Sequence, residues 1–237
     1  MSGSVTVRAV IFDFFGTLVD DFVAATGPMT PDLAIAVNAP HERFIELWRN
    51  TSSLRIDGTF QSIEAAIEHV CAAIGIQPST EQMAKAVEIR LNQIRRALKP
   101  KPDAVATLKT VKQRGYKIGL LSNCSIEIPI LWPESPFAQF VDWAVFSSRE
   151  HLKKPDPRIF DLACQGLGET PQQCLYVADG ENYELSVARS IGLHPVLVRN
   201  SFASRRKELF REATEWQGIA IASLSEVLNV LGHSAVG

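Results

Sequence analysis

Short apolar runs alternate with amphipathic stretches along most of the chain, a pattern that predicts helices packed on a parallel sheet. The runs at residues 7–12, 117–121, 143–146, 175–178 and 194–198 read as five strands. A helix opens near Pro102, carries Val105, Leu108 and Val111 on one face, and stops at Gly115. Another runs from about Pro157 to Gly168 with Ile159, Phe160, Ala163, Cys164 and Leu167 turned inward.

Residues 20–99 break the alternation and read as purely helical. Ile63, Ala66, Ile67, Val70, Cys71 and Ile74 follow helical spacing, with Gly75 as the C-terminal stop. The next helix opens on Ser79 and Gln82 at capping-box spacing, then places Met83, Val87, Leu91, Ile94 and Leu98 on one face before Pro100. The chain thus divides into a core, residues 1–19 and 100–237, and a helical insertion between the first strand and the second. Ligands of α/β sheets bind beyond the carboxyl ends of the strands, so an insertion there is placed to act as a cap over an active site.

Composition narrows the partners. The 24 basic and 26 acidic residues of this 237-residue chain leave a formal charge of −2, without the like-charge runs of a nucleic-acid or membrane surface. A small-molecule substrate is expected; oligomeric state is not legible. Cys71, Cys124, Cys164 and Cys174 show no paired metal-ligand or redox spacing and read as buried reduced thiols. No secretory segment or long apolar span is apparent, and the expected location is cytoplasmic.

Polar groups then gather where strands end. Asp13 and Thr17 follow the first strand in "AVIFDFFGTLVD", Ser122 and Asn123 follow the second, Lys154 stands in "LKKPDPRIF", and Asp179 and Glu184 stand in "LYVADGENYEL". A carboxylate nucleophile, acids able to hold a metal ion, and a lysine and hydroxyls able to hold phosphate oxygens suit phosphoryl chemistry. Taken singly, each has a plainer role: Asp13 as a turn cap, Ser122 and Asn123 as a helix start, Lys154 as a solvated lysine.

In their order and character these four motifs resemble the haloacid dehalogenase (HAD) superfamily of hydrolases over nearly all the chain. The resemblance implies a Rossmann-like α/β core with a parallel sheet and an inserted α-helical cap. It implies Asp13 as nucleophile, Thr17 and Ser122 as phosphate-binding hydroxyls, and Lys154 paired to phosphate and nucleophile. Mg²⁺ is the implied cofactor, held by Asp13, Asp179 and the backbone carbonyl of Phe15, with Glu184 as a further ligand or supporting group. Backbone amides of Phe14, Phe15 and Asn123 are placed to reach a bound oxyanion.

One position departs from the resemblance. Phosphatases of the family read D-x-D-G-T, and the second acid protonates the leaving oxygen; this chain has Phe15 there. Three readings follow: a Mg²⁺-dependent phosphatase lacking that acid, a hydrolase resembling 2-haloacid dehalogenases, or a non-catalytic anion-binding protein. The "ELWRN" segment favours the second, with Arg49 as a halide contact; Asp179 favours the first. Substrate selection is assigned to the cap and to the stiff stretch "IEIPILWPESPF", with Arg55 and Trp132 as candidate contacts. Arg90, Arg95 and Arg96 are further cap cations, equally explained as solvated helix charges.

Overall fold

The computed structural model describes residues 6–20, 32–200 and 208–233. Its sheet is wholly parallel, with the order β3-β2-β1-β4-β5-β6. The strands are β1 Ala9–Phe12, β2 Lys117–Ser122, β3 Trp143–Phe146, β4 Cys174–Ala178, β5 His194–Val198 and β6 Ile219–Ile221. Period-two alternation divides each central strand between the two faces. Val10 and Phe12 of β1 join Leu175 and Val177 of β4 in one apolar cluster, while Ala9, Ile11, Tyr176 and Ala178 face the other. The sixth strand was not expected from sequence. It is a three-residue edge strand whose Ile219 is exposed, so it leaves no apolar run to read.

Chain direction reverses between β1 and β4. From β1 the chain builds outward through β2 and β3, then returns to β4 on β1's other side, which opens a crevice at the carboxyl ends of these two strands. Asp13 follows β1 directly and Asp179 follows β4 directly, so the switch point puts two acids side by side.

Five of the six described helices between β1 and β2 belong to the insertion: α1 Asp32–Ala36, α2 His41–Asn50, α3 Ser52–Ile56, α4 Ile63–Ala72 and α5 Thr80–Ala97. They share an apolar cluster of their own, centred on Leu33, Phe44, Trp48, Ile67, Val70 and Cys71. The capping box at the start of α5 is formed as its spacing requires: Gln82 N–H donates to Ser79 Oγ at 3.2 Å, and Ser79 N–H donates to Gln82 Oε1 at 2.8 Å. Val19 and Pro100 pair in an isolated antiparallel bridge, so the outgoing and returning chains run side by side.

The remaining described helices are α6 Ala104–Gln113, α7 Glu127–Leu131, α8 Ser147–Glu150, α9 Pro157–Leu167, α10 Glu184–Ser190, α11 Arg211–Glu215 and α12 Val227–His233. Part of the stretch expected as a stiff loop is therefore helical. Pro129 is tolerated because it sits in the first turn of α7, where a backbone N–H has no intrahelical acceptor.

Candidate active site

The strand ends bring Asp13, Lys154, Asp179 and Glu184 into one buried cluster. Lys154 Nζ donates to Asp13 Oδ1 at 2.5 Å and to Glu184 Oε2 at 2.7 Å, and approaches Tyr176 Oη at 3.1 Å. The loop that carries Lys154 is clamped by Asn123: its Nδ2 donates to the Lys154 carbonyl at 3.0 Å, and Lys154 N–H donates to its Oδ1 at 2.8 Å. Asn123 thus positions the lysine through its backbone.

Glu184 has little capacity left for a metal ion. Its Oε1 accepts from Gly180 N–H at 3.1 Å and Glu181 N–H at 3.2 Å, while Oε2 accepts from Tyr176 O–H at 2.7 Å and from Lys154. Four donors occupy a carboxylate with about four lone-pair sites. Of the two roles expected for Glu184, this hydrogen bonding supports the one beside the ligands, holding Lys154 and the Asp179 turn.

The other two acids are placed differently. Asp13 Oδ2 is buried and has no hydrogen-bond partner among the described residues. Asp179 accepts from Glu181 N–H at 3.2 Å and from Asn200 Nδ2–H at 3.0 Å. One acceptor atom from each of Asp13, Asp179 and Glu184 lies within 4.8 Å of the others. Three buried carboxylates share one buried lysine, an excess of negative charge that low dielectric makes costly. Burial raises the Asp13 pKa, with Lys154 opposing and Glu184 adding to the rise. Burial also raises Asp179 well above the carboxylate range, reinforced by the charges of Asp13 and Glu184. For Lys154, burial works against the charge, but the two acids outweigh it and hold the ammonium above its ordinary value. The excess charge and the orphaned Asp13 oxygen fit a divalent cation held by Asp13 and Asp179.

Gly16 makes this approach of the acids possible. Its φ is +78°, and a Cβ there would lie 1.9 Å from Asp179 Oδ2. The Lys101 ammonium reaches the Gly16 carbonyl and closes the turn from the side of the returning chain. Thr17 Oγ1 and Ser122 Oγ are fully buried and lack hydrogen-bond partners among the described residues. A hydroxyl left in this way can donate to an oxyanion that enters the site.

Above the cluster lies a cavity of about 400 Å³, lined by Phe15, Asn123, Lys154, Glu181 and Asn182 from the core and by Ser52, Ser53, Arg55 and Arg90 from the insertion. Arg55 is buried against Trp48. Burial, then the like charge of Arg90, lowers its pKa to about 10, with Glu127 opposing. Arg49 is not among the described lining residues; it is exposed, because the apolar face of α2 turns Phe44, Ile45 and Trp48 inward. Trp132 also lies off the cavity lining, half-buried and edge-on to Phe14 and Phe146 at 5.9 and 5.6 Å. Arg95 pairs with Glu134 near the surface, whereas Arg90 pairs with buried Glu127 at 2.5 Å.

Tyr176 and Asn200 were missed in the sequence. The signal for Tyr176 was a hydroxyl within a buried strand three residues before Asp179; for Asn200 it was an amide following β5, the same strand-end placement that marked the acids.

The fold and this constellation define a Rossmann-like parallel α/β core with a buried aspartate at the switch point, beneath an inserted helical cap. The chain belongs to the haloacid dehalogenase-like hydrolases, whose family model matches residues 7–192. Both dehalogenases and phosphatases are among its relatives. It is 26% identical to (S)-2-haloacid dehalogenase 4A of Burkholderia cepacia, over 81% of this chain and 83% of that protein. It is also 26% identical to a phosphatase of Mycobacterium tuberculosis, over 84% of this chain and 91% of that one. The solved L-2-haloacid dehalogenase of Xanthobacter autotrophicus, with chloropropionic acid covalently bound, has the same fold: TM-score 0.62 at 19% identity, covering 96% and 99% of the two chains.

Proposed function

We propose that this hydrolase is a Mg²⁺-dependent phosphatase of small organic phosphates, with residues 20–99 as its cap. The carrying observation is the buried charge excess among the described residues: Asp13, Asp179 and Glu184 against one buried lysine, Lys154, with the half-buried Lys101 beyond the Gly16 carbonyl and one Asp13 oxygen unpartnered. Attack by a carboxylate on carbon has no use for Asp179; attack on a phosphate dianion needs added positive charge.

Asp13 attacks phosphorus. A bond forms from its carboxylate oxygen to phosphorus as the bond to the leaving oxygen breaks and that oxygen takes the electron pair. Lys154 orients the nucleophile and offsets phosphoryl charge, while Thr17 and Ser122 donate to phosphoryl oxygens. Asp13, Asp179 and the Phe15 carbonyl would hold the Mg²⁺ ion, which when bound would supply the remaining charge neutralisation. Water then hydrolyses the aspartyl phosphate and restores Asp13. Glu184 and Tyr176 hold Lys154 in place throughout.

A second reading has its own support. Phe15 offers no proton to a leaving group, and displacement of halide by Asp13 needs none. A relative named as a haloacid dehalogenase spans most of this chain. The two readings separate on metal dependence. Phosphate release from an aryl phosphate should require Mg²⁺, vanish in Asp13→Asn, and in Asp179→Asn need at least about tenfold more Mg²⁺ for half-maximal rate. An unaltered Mg²⁺ requirement in Asp179→Asn would contradict the assignment of that ligand.

A further inference from the structure

The cap presents the cavity with a cation that has no protein anion to match it. Arg55 is 9% exposed and lies among the cavity-lining residues. Its Nη1 donates to the Trp48 carbonyl at 2.6 Å and to Thr51 Oγ1 at 2.8 Å, and its guanidinium sits 4.1 Å from the Trp48 ring centroid. Those contacts fix the plane of the group through a single nitrogen. Nε and Nη2 make no hydrogen bond to any described residue, and no described carboxylate forms an ion pair with Arg55. Glu127, the acid whose charge it feels, gives Oε1 to Arg90 at 2.5 Å.

A buried guanidinium held rigid by its neighbours, yet unpaired, carries a desolvation cost that a bound anion relieves. Its free edge suits bidentate recognition of a planar carboxylate. We propose that Arg55 binds a carboxylate of the substrate, so that the substrates are phosphorylated short-chain carboxylic acids, attacked at the phosphate by Asp13 and held at the other end by the cap. This rests on the phosphatase reading. Arg55 is the one buried cation of the cavity wall without an acid partner among the described residues, and a single such charge matches a carboxylate monoanion better than a second phosphate, which brings about two; Lys153, also on the wall, is half-buried and donates to Ser53 Oγ at 2.5 Å. Arg90 adds no further charge to match, since Glu127 neutralises it. A 400 Å³ cavity limits the spacer between the two groups to a short chain.

The test compares 3-phosphoglycerate with glycerol 3-phosphate, which differ by a carboxylate in place of a hydroxymethyl group, in Mg²⁺ and with p-nitrophenyl phosphate as reference. Wild-type kcat/KM should favour the acid by about tenfold or more, the scale of a charge-assisted pair. Arg55→Gln should reduce that ratio to within about twofold of unity, mainly through KM for the acid. Arg55→Lys should retain part of it, because the charge remains and the fork is lost. The wild-type ratio decides the matter even where a variant does not fold. Hydrolysis of the aryl phosphate with a wild-type ratio near one overturns the carboxylate assignment and leaves the phosphatase reading standing. A preference that survives in folded Arg55→Gln assigns the carboxylate to other residues and overturns the role of Arg55. Absence of phosphate release even from the aryl ester overturns the phosphatase reading and this inference together.

Discussion

On the phosphatase reading proposed above, Phe15 governs how the site treats a leaving group. Its ring lines the cavity, meets Phe14 edge-on at 5.0 Å and packs on the core cluster, where a family phosphatase has an acid. Without that proton donor an alkoxide must depart unaided, so turnover should fall steeply from aryl or acyl phosphates to alkyl phosphates. General acid catalysis supplies about 10²–10⁴-fold, which sets the scale of the gap. Phe15→Asp should raise alkyl phosphate turnover and flatten the dependence on leaving-group pKa, as steady-state rates over a series of esters will show. A thermal melt is the control, because removing the half-buried ring leaves a void under the cap. A folded variant with no gain on alkyl esters means that another group already supplies the proton or that the reaction is not phosphoryl transfer. Asp13, Ser122, Lys154 and Asp179 were legible because each ends or follows a strand, and local sequence marks strand ends. Arg49 misled because the tryptophan and arginine are adjacent on a helix, and adjacent helical positions point about 100° apart. The buried cations over Trp48 are instead Arg55, at 4.1 Å from the ring centroid, and Arg90, at 5.4 Å, contacts that spacing along the chain does not show.

At the scale of elements, the joint between cap and core depends on Arg90 of α5 and Glu127 of α7. Both are buried, so the pair gives the two domains a defined seating and also a point of weakness. Removing one partner strands the other charge, and Glu127→Gln should cost about 3–5 kcal/mol in urea unfolding at neutral pH. The pH dependence follows from the direction of the shift. Burial pushes Glu127 upward, but Arg90 and the hydrogen bonds outweigh it and hold the folded-state pKa below the ordinary 4.5. Stability from the carboxylate is therefore fully present above pH 4.5 and is lost as pH falls through the lower folded value. The difference in unfolding free energy between wild type and Glu127→Gln should narrow below that pH; a constant difference across it would show that the ion pair contributes nothing. The amphipathic helices of the insertion were readable, since 3.6-residue spacing and a capping box are local signals. The edge strand β6 and the short helix α7 were not. One is too brief and too exposed to leave a pattern, and the other is held by packing against Phe14 and its neighbours in the core cluster rather than by propensity.

For the whole molecule, the order of the strands does the positioning. Reversal between β1 and β4 puts Asp13 beside Asp179, β2 contributes Ser122, the loop beyond β3 contributes Lys154, and the insertion between β1 and β2 covers them. No helix among the described residues is long and apolar enough to cross a membrane. Parallel topology was readable from alternating runs, and the strand-end acids marked which edge bears the chemistry. Pairing across the cluster was not readable, because the contacts of Lys154 with Asp13 and of Asn200 with Asp179 join distant parts of the chain. The decisive measurement runs both chemistries in one buffer: purified protein with an aryl phosphate and with 2-chloropropionate, each in Mg²⁺ and in EDTA, assayed for phosphate and for chloride. Phosphate release in Mg²⁺ that EDTA abolishes, without chloride release, is the expected result. Chloride release that persists in EDTA, with no phosphate released under either condition, would contradict it and make the acid cluster part of a metal-independent dehalogenase.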